Sequence, residues 1–346
     1  MPWGPVGPYT WPVTALPPLR YLTAADVVAA MPALPERLEL AELTLRGLAS
    51  GAELPPKIGV HPRPASSFAH AMPALLPGDA DDGSADRLGM KWVSGNPANN
   101  LAGIAGIHGL LLLNDPVTTV PIAILDAGPI TAERTAAITG VAIRTFAPPP
   151  TADRAPRAAL IGAGVQGRSH VPVLGHVLPG VALSLFDPDP DRAAALAEEA
   201  LATHGIGSAE VAPSPRAAIE TADVVVTVAS FVAPDLRQVM TNDWLQPHAL
   251  VVPVDYATYC SAEVAHDAAL FLVDHTQQFL ANRDIGNFDG YPDPAAMLGD
   301  ALIAGTPRPS GRVVTTHLGT GLADVVFGSA ILEVATEWEL GTILAR

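Results

Sequence analysis

The sequence is nearly without cysteine and nearly without lysine, and both shortages exclude something. One cysteine, Cys260, among 346 residues rules out an internal disulfide and fits a reducing compartment. Close packing is the expected role of its thiol. The 10 histidines show no metal-ligand spacing, so no metal site is expected. Against 35 acidic residues stand 19 basic ones, leaving a net charge of −16 and no basic cluster to displace counterions from a phosphate backbone. A nucleic-acid partner is therefore not expected.

Long apolar runs are missing too. The longest stretch, Leu101 to Leu113, is interrupted by Gly103, Gly106, Gly109 and His108 and is too short to cross a bilayer. Met1 to Pro18 is rich in Pro, Gly and Trp but has neither the basic nor the apolar region of a secretory signal. Residues 1–18 are expected to form a flexible N-terminus, and the protein to be soluble, cytoplasmic and without a membrane partner. The lysine shortage is lopsided, because only Lys57 and Lys91 are lysine among the 19 basic residues. Either the composition is simply arginine-biased, or these two positions need a compact ammonium that can lose or share a proton, which guanidinium cannot do.

What is present begins with Arg157-Ala-Ala-Leu-Ile-Gly-Ala-Gly-Val-Gln-Gly-Arg168. A short apolar run delivers Gly162, Gly164, Val165, Gln166 and Gly167 into the start of a helix, the pattern of a dinucleotide-binding turn. Gly162 allows the tight turn, Gly164 the approach of a pyrophosphate, and Gly167 close packing of helix on strand. Free N–H groups at the helix start then face the phosphates. A second apolar run, Val181 to Phe186, ends in Asp187, where a ribose-binding carboxylate belongs. Asp187 favours NAD over NADP, although Arg192 leaves a 2′-phosphate possible. Thr227, closing a later apolar run, is a further expected cofactor contact.

From Arg157 onward strands alternate with helices, at 157–161, 181–186, 209–212, 223–229, 249–254 and 269–273, with a helix over 190–203. The fold class is α/β: a Rossmann-type, doubly wound parallel sheet over 149–312. A second, α+β substrate and dimerisation domain is built from 19–148 and the tail 313–346. In that domain, helices are expected between Thr23, a plausible N-cap, and Gly51, and strands between Lys57 and Ile130. A helix runs from Thr131 to about Phe146 and stops at Ala147-Pro-Pro-Pro150. Gly299 to Arg312 reads as loop and Gly319 to Leu340 as a final helix returning to the first domain.

Ligands of open α/β sheets bind beyond the carboxyl ends of the strands, which draws attention to Asp255 and Asp274. Each is a site candidate or a cap or turn residue, and Asp255, beside Tyr256, has the better case. Arg134 is placed by the pattern in the first turn of its helix, as a fork for a carboxylate or as an exposed arginine paired with Glu133 or another acid. His61 and His70, near Lys57, read as structural.

Taken together, Pro55-Pro-Lys-Ile58, His70-Ala-Met-Pro-Ala74, Gly89-Met-Lys-Trp-Val-Ser-Gly-Asn-Pro97, Leu111-Leu-Leu-Asn-Asp115, Ile130-Thr-Ala-Glu-Arg-Thr-Ala-Ala137, Leu160-Ile-Gly-Ala-Gly-Val-Gln166 and Asp243-Trp-Leu-Gln-Pro247 resemble the ornithine cyclodeaminase and mu-crystallin family from about Leu22 to Thr342. The resemblance implies a nicotinamide cofactor, a homodimer joined through the non-nucleotide domain, and small amino or imino acid substrates. It places the family's active-site lysine at Lys91, its carboxylate-binding arginine at Arg134 and its acid/base aspartate at Asp255. Lys57 stands where the cyclodeaminases usually have arginine, and His70 where they have a glutamate suited to ornithine's distal amine. Their usual Thr-Gly after Leu-Asn-Asp is Thr118-Thr119 here. The expected activity is NAD(H)-dependent hydride transfer at the α-carbon of an amino or imino acid, as an imine reductase or amino-acid dehydrogenase. In it, Arg134 and Lys57 hold the carboxylate, Lys91 polarises the reacting region and Asp255 moves a proton. The alternative is cyclodeamination with release of ammonia and NAD recycled in each turnover, which the same residues serve; a cofactor- or ligand-binding protein without activity is a third reading.

Overall fold

The computed structural model describes residues 16–63, 67–151 and 153–346. The expected flexible N-terminus lies, up to residue 15, outside them. In chain order the first half contains β1 (Leu19–Leu22), α1 (Ala24–Ala29), α2 (Leu34–Ala49), β2 (Ile58–Val60), β3 (Phe68–Leu76), β4 (Arg87–Gly95), β5 (Ile107–Asn114), β6 (Pro121–Asp126) and α3 (Ala127–Phe146). The second half contains β7 (Arg157–Ile161), α4 (Val165–Val177), β8 (Val181–Phe186), α5 (Pro190–Leu201), β9 (Ile206–Val211), α6 (Pro215–Ile219), β10 (Val224–Thr227), β11 (Leu250–Pro253) and α7 (Ala262–His266). It continues through β12 (Leu270–Val273), α8 (Thr276–Asp284), β13 (Ala296–Met297), α9 (Leu298–Ala304), β14 (Val313–Thr316), α10 (Gly321–Glu337) and β15 (Thr342–Leu344).

Local chemistry explains the boundaries. Thr23 caps α1 through the amide of Asp26, whose carboxylate returns the bond to the amide of Thr23. Helix α3 starts earlier than the sequence pattern suggests: Asp126 at the end of β6 accepts from the amide of Gly128 and caps it. Arg134 is consequently in the helix interior rather than its first turn. The free N–H groups invoked for it do not exist there, and any anion it holds is held by the guanidinium alone. Glu133 pairs with Arg37 of α2, not with Arg134.

The strands form two sheets. The first has the order β15-β1-β6-β5-β4-β3-β2, and β3 to β6 are antiparallel with alternating buried and open positions. Lys91, Val93 and Gly89 of β4 face inward beneath α10, and Trp92 faces out. The second sheet has the order β13-β12-β14-β11-β10-β7-β8-β9 with every pairing parallel. Its central strands are buried along their whole length, because helices cover both faces.

Two expectations for the tail change. Gly299 to Arg312 is not all loop, since α9 occupies Leu298–Ala304 with Asp300 bonding back to the amide of Met297. Residues 313–316 do not leave for the first sheet but form β14, inserted between β11 and β12, and with β13 they bring the sheet to eight strands where six were read. Only beyond β14 does the chain return, when α10 packs on β3, β4, α2 and α3. An apolar core continuous from Leu22 and Leu125 through Ile138 to Leu160 and Val226 joins the two halves. The loop from β14 to α10 thus lies at their junction, beyond the carboxyl end of β14, and α3 packs along the second sheet against β11 and α4.

Candidate active site

The glycine turn has the conformation its sequence requires. Gly162 has φ +113°, and a side chain on Gly167 would meet the carbonyl oxygen of Gly162 at 2.1 Å. Above Gly164 the space is open, and no side chain caps α4, whose first N–H groups point toward that space. Asp187 closes the turn: its carboxylate accepts from the amides of Ala163 at 2.7 Å and Asp189 at 2.9 Å. Exposed Arg192 pairs with Asp189 at 3.1 Å. An open cradle of amides, a fixed carboxylate beside it and the buried, unpartnered Oε1 of Gln166 fit the phosphates and ribose of a dinucleotide.

Three cations and two carboxylates meet where the halves join. Lys91 is 2% exposed and its Nζ lies 2.5 Å from Oδ2 of Asp324, on α10, which is fully buried. The contact is an ion pair, not a well-angled hydrogen bond. Oδ1 of the same carboxylate takes Nε of Arg134 at 3.3 Å, and Lys91 also reaches Thr131 Oγ1 at 3.4 Å. Lys57 donates to the Tyr256 hydroxyl and to the Leu318 carbonyl, each at 3.3 Å. Asp274 accepts from the amides of Leu318 at 2.9 Å and Gly319 at 3.1 Å and so pins the β14–α10 loop; His275, not Asp274, caps α8. Gly319 has φ +73°, and a side chain on it would come within 2.6 Å of the Arg134 guanidinium.

Burial governs the protonation of these groups. It pushes Lys91 down to about 8, opposed by Asp324, and Lys57 down to about 8, opposed by Asp274, although part of Lys57 still meets solvent. Asp274 is pushed up to about 6 by burial, against the pull of the Leu318 amide and Lys57.

Asp255 differs from the other two carboxylates. It is 2% exposed, follows β11, and neither of its oxygens has a hydrogen-bond partner among the described residues. Thr227 Oγ1, also buried and unpartnered, lies near it with the amides of Tyr259, Ala229 and Thr258, none of them close or straight enough to bond. Burial dominates and raises Asp255 to about 6. The next two residues, Tyr256 and Ala257, take φ +53° and +62°, a left-handed pair without glycine. That strain is held where Tyr256 turns its hydroxyl to the Leu318 carbonyl at 2.8 Å.

Beneath the junction runs a buried polar chain. His170 Nδ1 meets the Gln166 carbonyl at 2.6 Å, and Thr139 Oγ1 lies 2.9 Å from Nε2 of both His170 and His317. A carbonyl only accepts, so His170 is protonated at Nδ1 and Thr139 donates to its Nε2. His317 then donates to Thr139, leaving its own buried Nδ1 as an unpartnered acceptor. Burial keeps both histidines neutral, His170 at about 4 and His317 well below its usual value.

A cleft of about 280 Å³ opens beside Lys57, lined by Lys57, His61, His70, His275, Gln278 and Ile285. His70 stacks on Phe68 at 4.7 Å, and burial together with Lys57 lowers its pKa, so it faces the cleft as a neutral ring. Another cleft, of about 290 Å³, lies at the amino ends of β7 and β10 around Arg154, Asp223 and His248, away from all of these groups.

Lys57, Lys91 and Arg134 thus converge on one junction, Asp255 follows β11, His70 lines the cleft beside Lys57, and Gly162, Gly164, Val165, Gln166, Gly167 and Asp187 form the glycine turn. Asp324, Thr131, His170 and His317 escaped the sequence reading. For Asp324 a signal existed: it is a lone acid in the apolar run Leu322-Ala-Asp-Val-Val-Phe327.

The family model for the ornithine cyclodeaminase/mu-crystallin family matches residues 21–335. The nodulation efficiency protein NfeD of Rhizobium meliloti is 34% identical over 338 residues, covering 95% of this chain and 99% of its own. A Δ1-pyrroline-2-carboxylate/Δ1-piperideine-2-carboxylate reductase of Azospirillum brasilense is 30% identical over 254 residues, 73% of this chain and 74% of its own. The structure of Thermococcus litoralis Δ1-pyrroline-2-carboxylate reductase with NADH and L-proline shares the fold, with a TM-score of 0.79 at 23% identity over 94% of this chain and 100% of that one.

Proposed function

Because this chain belongs to the ornithine cyclodeaminase/mu-crystallin family of NAD-dependent oxidoreductases and cyclodeaminases, we propose that it is an NAD(H)-dependent imine reductase or amino-acid dehydrogenase acting on a small amino or imino acid. The observation that carries this reading is Asp255: a carboxyl buried without a partner and held at about 6 just beyond the carboxyl end of β11. Such a group can give or take one proton near neutral pH, which interconversion of imine and amine requires.

The dinucleotide, when bound in the glycine turn, supplies or accepts the hydride at the substrate α-carbon. The protein's own groups do the rest. Arg134 and Lys57 hold the substrate carboxylate by charge-assisted hydrogen bonds, and the rigid fork of Arg134 fixes its plane. Lys91 lies deeper and polarises the carboxylate end. Asp255 donates a proton to the nitrogen in reduction and accepts one in oxidation. Asp187, with Arg192 tied to Asp189, supports NAD over NADP.

Cyclodeamination of ornithine needs an anchor for a distal ammonium. The neutral ring of His70 supplies no charge for it, which favours the reductase reading. Homodimerisation through the first sheet is supported by an open apolar row, Ile58, Ala71, Trp92 and Leu110, in register across four strands, with Trp92 44% exposed. The test of the function is consumption of NADH by the purified protein with cyclic imino acids and with 2-oxo acids plus ammonia.

A further inference from the structure

We infer that Asp324 is a positioning residue of the site, one that keeps Lys91 an ammonium and turns Arg134 so that its Nη pair, not its Nε edge, meets the substrate carboxylate. The substrate half of this inference rests on the function proposed above; the lysine half stands on geometry alone.

Asp324 is fully buried and each of its oxygens is committed to a different cation, Oδ2 to Lys91 at 2.5 Å and Oδ1 to Arg134 Nε at 3.3 Å. Arg134 has no other partner among the described residues, so its Nη pair is uncommitted. That pair lies against Gly319, where the absence of a side chain leaves it room. A guanidinium held at Nε is fixed about its long axis and presents the two remaining parallel donors as a fork. Without Asp324 the Nε edge would be a second, competing fork, and two cations would face each other with no shared counter-ion.

Lys91 depends on the same carboxylate. The groups that face it are Asp324 from α10, Arg134 and Thr131 from α3, and Lys57 from the segment before β2. The strand residues paired with it, Met72 of β3 and Leu111 of β5, carry no charge. Two of these neighbours repel an ammonium and the hydroxyl carries no charge, so among the described residues Asp324 is the only charged group favouring the ammonium. Removing it while leaving the burial and the repulsion should deprotonate Lys91 at neutral pH. A neutral amine makes no charge-assisted bond to a substrate carboxylate.

The chain's two lysines make this directly measurable. Protein labelled with 13C and 15N in lysine gives two side-chain signals, assigned with Lys57→Arg. In Asp324→Asn the Lys91 midpoint should fall from about 8 by about one unit or more, with a smaller change at Lys57. Asp324→Glu should restore the midpoint at least in part. In the same Asp324→Asn variant the KM for an imino acid should rise about 10-fold or more and the alkaline limb of the rate profile should move down with Lys91, while NADH affinity is retained. An unchanged Lys91 midpoint, or a lower kcat with KM and pH profile unmoved, overturns the inference. If Asp324→Asn does not fold, the wild type decides: a Lys91 midpoint below about 7 would mean that Asp324 does not hold the ammonium. A wild type inert toward imino acids defeats the proposed substrate, and with it the carboxylate role of Arg134, while the titration still decides the role of Asp324 toward Lys91.

Discussion

Replacing Asp255 by Asn should make the protein more stable and far less active. The native carboxyl sits at about 6 against an ordinary 3.8, because it is buried with both oxygens unpartnered. A group raised in the folded state favours folding only while protonated; the advantage is lost as pH climbs from the unfolded value through the folded one. Above pH 6 the native state therefore carries the full cost of an ionised, unpaired carboxylate. About two units at about 1.4 kcal/mol each give a cost on the order of 3 kcal/mol. Asparagine has the same shape and no charge, its carbonyl facing the nearby amides and its amino group able to donate to the unpartnered Thr227 hydroxyl. Urea unfolding of wild type and Asp255→Asn at pH 8 should show the variant ahead by an amount of that order, shrinking to under about 1 kcal/mol near pH 4. Turnover should fall by about 10²-fold or more with NADH affinity kept. A variant no more stable than wild type at pH 8, or a gain that does not depend on pH, would refute the argument that the site stores an unpaired charge.

The direction of the reaction should set its pH profile. In amine oxidation Asp255 must be ionised and Lys57 and Lys91 charged, so kcat/KM should fall below about pH 6 and above about pH 8; reduction needs Asp255 protonated and should decline from about pH 6 upward. Gly319→Ala, at φ +73° and 2.6 Å from the Arg134 guanidinium, should displace that fork and raise the substrate KM about 10-fold, with cofactor affinity unaffected. Asp187→Ser removes the carboxylate that repels a 2′-phosphate, and the ratio of NADPH to NADH activity should rise about 10-fold or more. Trp92→Asp, which charges the open face of the first sheet, should convert the proposed dimer to monomer in sedimentation.

The parts of the fold set by local chemistry were legible in the sequence. The strand-turn-helix from Arg157, the proline stop after Phe146 and the Thr23 cap each depend on residues a few positions apart. Strand β14 was not, because four residues after a loop carry too little pattern to show which of two sheets they join; the gap between β11 and β12 decides it. The start of α3 was missed because the region up to Ile130 read as strands, whereas Asp126 caps a helix that accommodates Gly128 and Pro129 in its first turn. At the site, Lys57 and Lys91 stood out by their rarity and Asp255 by its place after a strand. Asp324 reaches Lys91 from 233 positions along the chain, and no local pattern reports that two buried charges at such a separation will meet.

The most direct test follows absorbance at 340 nm for the purified protein with NADH and a panel of cyclic imino acids and 2-oxo acids plus ammonia, beside a sample of ornithine and NAD analysed for proline. Steady loss of NADH with at least one imino acid, abolished by Asp255→Asn, is the expected result. No loss of NADH with any of them, together with proline and ammonia formed from ornithine, would contradict the account and identify the site as a cyclodeaminase.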